Sequence, residues 1–414
     1  MLTSFLSIWL TRSMKPFVFT NQIKHQEYKE IENLGLYVHI PFCRKLCGFC
    51  PYCKEIYQKE IALKYKNALL KEIKLRCAKT PIKKVTSLYF GGGTPALLIE
   101  YLSEIISMLQ QYFEITEGIG IELHPEDVTE KNLLFLKKIG VTMISIGMQS
   151  FQKECLDSLN RKKYDYTKIA KIIQKANFET VDIDLIFAMP NQTPQSFIKD
   201  IDMAFYCHAT QISTYPFIDF TFNHHKYKPL SERKKKKLLN VITSYCKKTN
   251  KKRTSVWTFA LPHTKKYSSI TRNHFIGFGA SAVSLLSDTM SINTFSVKQY
   301  IRTIRKGSLP SSLTLHFSVR QKAVYYLFWN AYTLYIDNDD FKREIGVSIQ
   351  NLFSFEFWLA QKLGLLKKYK NGYRITQKGA YYYHYIEQKY TTSYIDTVWR
   401  ICKKKAFPKK IVLR

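Results

Sequence analysis

No stretch of the 414 residues approaches the roughly 18 apolar residues that a membrane-spanning helix needs, so insertion into a bilayer is not expected. The opening residues, MLTSFLSIWLTRSMKP, hold a short apolar run with no basic segment ahead of it and no small-residue cleavage site, and a cytoplasmic protein is expected. Carboxylates are scarce: 32 Asp and Glu stand against 64 Lys and Arg, a formal net charge of +32. The one dense group of cysteines has no second CxxC pair at a distance and no histidine pair at the H-x3–5-H spacing to accompany it, which removes the usual signature of a structural zinc site. Internal repeats and low-complexity tracts are absent as well.

The excess positive charge does not by itself indicate a nucleic-acid partner. It is dispersed, with local runs at Arg233 to Lys237, Lys247 to Arg253 and Lys403 to Lys405, the pattern of a solvated lysine-rich surface. Such a surface can steer a small anionic substrate, and no nucleic-acid partner is expected. Nine cysteines, four clustered and five scattered, are an odd count that does not resemble a disulfide framework, so a reducing compartment is expected and the scattered five read as buried hydrophobes.

From residue 35 to about 290, short β-branched or aromatic runs alternate with longer stretches of helical period, the pattern of βα units around a parallel sheet. Strands are predicted at Gly35 to Ile40, Val85 to Phe90, Gly118 to Leu123, Val141 to Gly147, Val181 to Ala188 and Gln211 to Phe217. Leu98, Leu102, Ile105 and Leu109 recur at spacings of four, three and four, a buried helical stripe. Helices are also predicted over Ile56 to Leu75, Glu130 to Ile139, Tyr166 to Ala176, Ser196 to Phe205 and Ser231 to Lys248. Pro310 marks a boundary. The expected division is an extension over 1–34, a barrel over 35–300 and a helical domain over 310–414, with a hairpin at Lys367 to Ile375.

The cysteine group is HIPFCRKLCGFCPYC, residues 39 to 53, a C-x3-C-x2-C-x2-C spacing on a loop after a strand. Soft thiolates crowded on one loop suit an iron–sulfur cluster, and three ligands would leave one iron open. YFGGGTP, at 89 to 95, puts flexible backbone between a strand and a helix, where amides can approach a ligand. ELHPED, at 122 to 127, places the Glu122 carboxylate at a strand end, able to accept from ribose hydroxyls. SIGMQSF and DIDLIFAMPNQT close the next two strands with polar side chains, which in a parallel barrel favours the active-site rim.

In order, LYVHIPFC, FGGGTP, ELHPE, ISIGMQSF, LNR and DIDLIFAMPNQT resemble the radical S-adenosylmethionine (SAM) superfamily, in its coproporphyrinogen III dehydrogenase-like branch. The resemblance covers roughly residues 35 to 290 and implies an incomplete (β/α)6 barrel with a smaller, mainly helical, winged-helix-like C-terminal domain. It implies Cys43, Cys47 and Cys50 as ligands of a [4Fe–4S] cluster whose electron cleaves SAM to methionine and a 5′-deoxyadenosyl radical. It further implies two SAM molecules. Tyr37, Glu122, Pro216 and Val283 match contacts to the first. Phe49, Gly93, Thr94, Gln149, Arg161 and Asp184 match contacts to the second, and Gly92 sits between the two. Cys53 is expected to stand outside the cluster.

Three activities share these motifs: oxidative decarboxylation of coproporphyrinogen, haem chaperoning, and SAM-dependent methylation coupled to haem ring opening. The HNxxYW motif of the chaperones is missing from residues 256 to 284, and Cys53 lies three residues after Cys50 rather than in the CxC form of the decarboxylating enzyme. VWTFA followed by YSSITRNHFIGFGASA looks like the haem-utilisation group, the anaerobilin synthases. That resemblance implies a methyltransferase that opens haem and releases iron, fed by a reduced flavodoxin- or ferredoxin-type donor, with Tyr267 and Arg272 near the propionates of the tetrapyrrole.

Overall fold

The computed structural model describes residues 16–22, 27–78, 81–221, 227–265 and 273–413. Six parallel strands form its centre: β1 (Leu34–Ile40), β2 (Lys83–Gly92), β3 (Phe113–Leu123), β4 (Val141–Gln149), β5 (Thr180–Phe187) and β6 (Gln211–Pro216), adjacent in that order. Each was expected from its run of Val, Ile, Leu and aromatic residues. The register lines Leu88 against Leu36 and Ile119, Ile144 against Ile121 and Val181, and Ile183 against Ile212, three short apolar rows that step across the sheet. Side chains buried on both faces are what a parallel sheet requires.

Helices α1 (Lys59–Cys77), α2 (Ile99–Gln110), α3 (Glu130–Lys138), α4 (Tyr166–Ala176), α5 (Pro194–Tyr206) and α6 (Glu232–Lys248) cover the outside. Their starts are written in the chain. Thr129 caps α3 by accepting from Asn132 N at 3.2 Å, Asp165 caps α4 through Lys168 N at 3.0 Å, and Thr193 with Ser196 forms a capping box ahead of α5, with Pro194 in its first turn. In α6, Leu238, Leu239, Ile242 and Cys246 are buried, so the lysine run occupies mainly the wet face of an ordinary amphipathic helix. The five scattered cysteines, Cys77, Cys155, Cys207, Cys246 and Cys402, are all buried and unbridged, as expected.

The sheet does not stop at six strands. His274–Phe278 pairs parallel with β1, and the antiparallel strands Val283–Leu286, Thr289–Asn293, Ser311–His316, Phe17–Thr20 and Lys410–Leu413 follow in turn. Thr258–Ala260 and Lys252–Arg253 extend the opposite edge. The described strands therefore form one open sheet of 14, mixed rather than purely parallel. Buried Glu72 on α1 secures this junction, accepting from Tyr300 Oη (2.6 Å), Gly279 N (2.7 Å) and Asn293 Nδ2 (2.9 Å).

The C-terminal region is largely helical, with helices Val319–Tyr332, Asn338–Ile345, Ile349–Lys362, Gln377–Tyr390 and Asp396–Lys404 around a three-stranded sheet whose hairpin is Leu366–Tyr369 and Gly372–Ile375. Among the described residues no helix is long and apolar enough to cross a membrane.

Candidate active site

A cavity of about 990 Å3 opens at the C-terminal ends of the parallel strands, floored by the cysteine loop and the strand ends and roofed by the C-terminal helices. Loops at this end of a parallel barrel are where side chains of several strands converge.

The cysteine loop is held at both ends. Phe42–Cys43 pairs with Glu55–Ile56, Glu55 N donates to Pro41 O (2.7 Å), and Tyr57 N donates to Cys43 O (2.9 Å). Lys54 Nζ donates to the carbonyls of Cys47 (2.5 Å) and Cys50 (2.7 Å), which brings a cation under the thiols. Arg44 reaches Asp127 beyond β3, and Lys45 donates to Asn160 Oδ1 (2.9 Å). Cys43, Cys47 and Cys50 all line the cavity. Burial pushes the Cys43 thiol up to about 11, partly offset by Thr94, and pushes Cys50 up against the pull of Lys54.

Among the described residues no three His, Cys, Asp or Glu side chains gather on one point as a single ion would require. A cubane takes each thiolate to a different iron and needs no such point. The donor set, three thiols on one clamped loop beside a lysine, thus fits a [4Fe–4S] cluster better than a mononuclear centre.

Next to the loop, the glycine run is shaped by contact. A Cβ on Gly93 would lie 2.5 Å from Phe42 O, so only glycine lets β2 turn against the cysteine loop. Gly93 N donates to Ile40 O (2.7 Å). Gly92 N donates to Glu122 Oε2 (2.9 Å) and Tyr89 Oη to Glu122 Oε1 (3.0 Å). Burial nevertheless pushes the Glu122 carboxyl up to about 7.

On β5, Asp182 and Asp184 stand two residues apart and share the cavity face. Ser213 Oγ donates to Asp182 (2.7 Å) and Ser145 Oγ to Asp184 (3.0 Å). Burial raises Asp182 to about 6 and raises Asp184 well above its ordinary value, with the charges of Asp182 and Glu122 adding to Asp184's rise. Arg161 lies over the Phe49 ring at 5.9 Å, and its Nε and Nη1 are buried without a hydrogen-bond partner. Two orphaned guanidinium donors in a cavity fit an anionic ligand group, a carboxylate above all.

Of the residues expected from sequence, Phe49, Gly92, Gly93, Thr94, Glu122, Gln149, Arg161, Asp184, Pro216 and Val283 line this cavity with the three cysteines. Tyr37 is not among the lining residues. His39, lowered to about 4 by burial and therefore neutral, contacts Cys53 O through Nε2 (3.0 Å) and so presents Nδ1 to the Tyr37 hydroxyl (3.0 Å), which holds that phenol one layer back. Tyr267 and Arg272 lie outside the described residues. Cys53 is buried away from the cavity lining, its Sγ donating to Phe295 O (3.1 Å).

Sequence reading missed Tyr52, Tyr89, Asp182 and the roof residues Tyr332, Tyr383, Glu387 and Tyr390. Asp182 carried a signal, since alternate residues of a strand share a face with Asp184. The roof residues carried none, because only docking of the C-terminal helices brings them here.

A model of the radical SAM superfamily matches residues 37–204. Curated relatives include the heme chaperone HemW of Bacillus subtilis, 24% identical over 361 residues, with 83% of this chain and 95% of the relative covered. They also include the oxygen-independent coproporphyrinogen III oxidase of Pseudomonas aeruginosa, 25% identical over 390 residues and covering 84% and 83%. The solved structure of coproporphyrinogen III oxidase (HemN) from Escherichia coli shares the fold, with a TM-score of 0.77 over 92% of this chain and 98% of that one at 23% identity. These relatives overturn the expectation of a haem-opening methyltransferase: they are named for coproporphyrinogen oxidation or haem chaperoning, not for methylation or haem degradation. That expectation leaned on the YSSITR segment, whose distinguishing residues lie outside the described structure, while the barrel motifs are common to the whole branch. Residues 37–204 are thus similar to the radical SAM superfamily, and more than four fifths of the chain is similar to coproporphyrinogen III oxidases and to HemW.

Proposed function

We propose that the protein is a radical SAM enzyme that oxidatively decarboxylates a propionate of a porphyrinogen, in the manner of its coproporphyrinogen oxidase relatives. The observation that carries this reading is one cavity lined by the three-cysteine loop, a guanidinium with two unpartnered nitrogens and an aromatic roof. Tyr215, Trp257, Tyr332 and Tyr383 offer broad ring faces to a macrocycle, while Arg161 offers open N–H groups to a carboxylate such as that of the second SAM.

Cys43, Cys47 and Cys50 would hold the cluster, which when bound supplies one electron to SAM. Glu122, anchored by Gly92 and Tyr89, is placed to meet ribose hydroxyls. Phe49, Gly93, Thr94, Gln149, Arg161 and Asp184 line the adjoining wall and would take a second SAM. The net change would convert –CH2CH2COO⁻ to –CH=CH2 and CO2, with the proton and two electrons it gives up taken by SAM as that becomes methionine and 5′-deoxyadenosine. The roof keeps bulk water from the reacting carbon. A reduced flavodoxin- or ferredoxin-type protein is the proposed donor.

The test is anaerobic reconstitution with iron and sulfide, followed by incubation with reductant, SAM and coproporphyrinogen III. Vinyl products accompanied by methionine and 5′-deoxyadenosine are expected. Stoichiometric haem binding with no conversion of the porphyrinogen would favour the chaperone reading instead, which the match over 95% of HemW supports.

A further inference from the structure

The C-terminal roof carries a polar pair that no barrel motif accounts for. Glu387 lies on helix Gln377–Tyr390, one turn after Tyr383, and both line the cavity. One Glu387 oxygen, Oε1, accepts from Thr391 Oγ1 at 2.7 Å, while Oε2 is buried with no partner. The Tyr383 hydroxyl, on a side chain only 8% exposed, has no partner either. Immediately beyond, the helix widens into a single π turn, Thr391–Ile395, which fixes Thr391 beneath the carboxyl and turns Tyr394 and Ile395 toward the same cavity. Such widened turns recur at functional sites. A buried acceptor left open costs free energy unless a ligand donor completes it.

We infer that Glu387 is a substrate-positioning residue whose open oxygen accepts hydrogen bonds from the inner N–H groups of a metal-free tetrapyrrole. This rests on the tetrapyrrole reading above and sharpens it. A porphyrinogen or free-base porphyrin presents inner N–H donors, whereas a metallated ring presents its metal and none. Tyrosine faces around Glu387, at Tyr332, Tyr383 and Tyr390, would pack the pyrroles, and the Tyr383 hydroxyl would donate to a propionate. Burial pushes the Glu387 carboxyl up to about 7, and donors arriving at Oε2 would draw it back down.

The experiment titrates the reconstituted protein with coproporphyrin III and, separately, with its copper(II) chelate, whose square-planar metal takes axial ligands only weakly, following the porphyrin absorbance band. Glu387→Leu is expected to weaken the free base about tenfold or more, the scale of one lost charge-assisted bond, and to leave the copper chelate within twofold. Glu387→Gln retains an acceptor and should lose only part of the free-base affinity, again with the chelate spared, which keeps the test decisive if the leucine variant folds poorly. Equal losses for both rings, no loss for either, or a loss of SAM binding instead would overturn the inference. Wild-type protein that binds neither ring would overturn the tetrapyrrole reading itself.

Discussion

Arg44 grips Asp127 through both terminal guanidinium nitrogens, Nη2 to Oδ1 at 2.5 Å and Nη1 to Oδ2 at 3.2 Å, with Asp127 only 1% exposed. The pair ties the residue after Cys43 to the turn beyond β3, so the cysteine loop is positioned by the barrel rather than by its own sequence. A bidentate, charge-assisted contact to a buried carboxylate is worth on the order of 1.5–3 kcal/mol. Arg44→Ala should therefore shed iron to a chelator about tenfold faster after reconstitution, with unchanged far-ultraviolet circular dichroism. Iron retention equal to wild type would show that the loop does not need this tether.

The four clustered cysteines should separate by variant. Cys43→Ala, Cys47→Ala and Cys50→Ala are each expected to lower bound iron and sulfide sharply and to abolish SAM cleavage. Cys53→Ala should load normally and lose about 1 kcal/mol of stability, because its buried Sγ packs beside Phe295 and bonds that residue's carbonyl. An iron content in Cys53→Ala as low as in the other three would place Cys53 among the ligands.

Glu122 predicts a pH dependence of fixed sign. Burial holds its carboxyl at about 7 in the folded state against an ordinary 4.5. The folded state thus binds a proton that the unfolded chain has released. Its contribution to stability is fully present below about pH 4.5, falls as pH rises, and is gone above about 7. Denaturant unfolding of the metal-free protein should show Glu122→Gln gaining on wild type across that window, by on the order of 2–3 kcal/mol. A constant difference at all pH values would contradict the assignment.

The barrel was legible because its six strands are dense in Val, Ile, Leu and aromatic residues and its helices carry stripes and caps, all local signals. The floor of the cavity was legible for a similar reason: the cysteines, the Gly91 to Gly93 run, Glu122 and Asp184 sit at strand ends, where position along the element says which way they face. Tyr37, expected at the first SAM, occupies a strand position next to the site, and its hydroxyl meets the ring of a neutral His39. Tyr383 and Glu387 were hidden in YYYHYIEQKY, whose spacing reads as any aromatic helix. Their place in the cavity comes from tertiary docking that no window of sequence contains. The choice among activities was misjudged because it was drawn from residues 256 to 284 and the spacing of Cys53, while the relatives named for oxidation and chaperoning match over more than four fifths of the chain.

Strand Phe17–Thr20 lies in register with Lys410–Leu413, and Phe19 and Leu413 both touch the cavity. These partners stand almost a full chain length apart, so closing the loop between them carries the largest entropy cost of any pairing in the sheet. This clasp is expected to form last, after the barrel and its cysteine loop are in place, leaving an interval in which the half-built chamber is open to the arrival of iron and sulfide. Pulse-labelled hydrogen exchange should find the amides of these two strands protected after those of β1 to β6. On that schedule this strand pair closes beside the chamber only after its floor is complete.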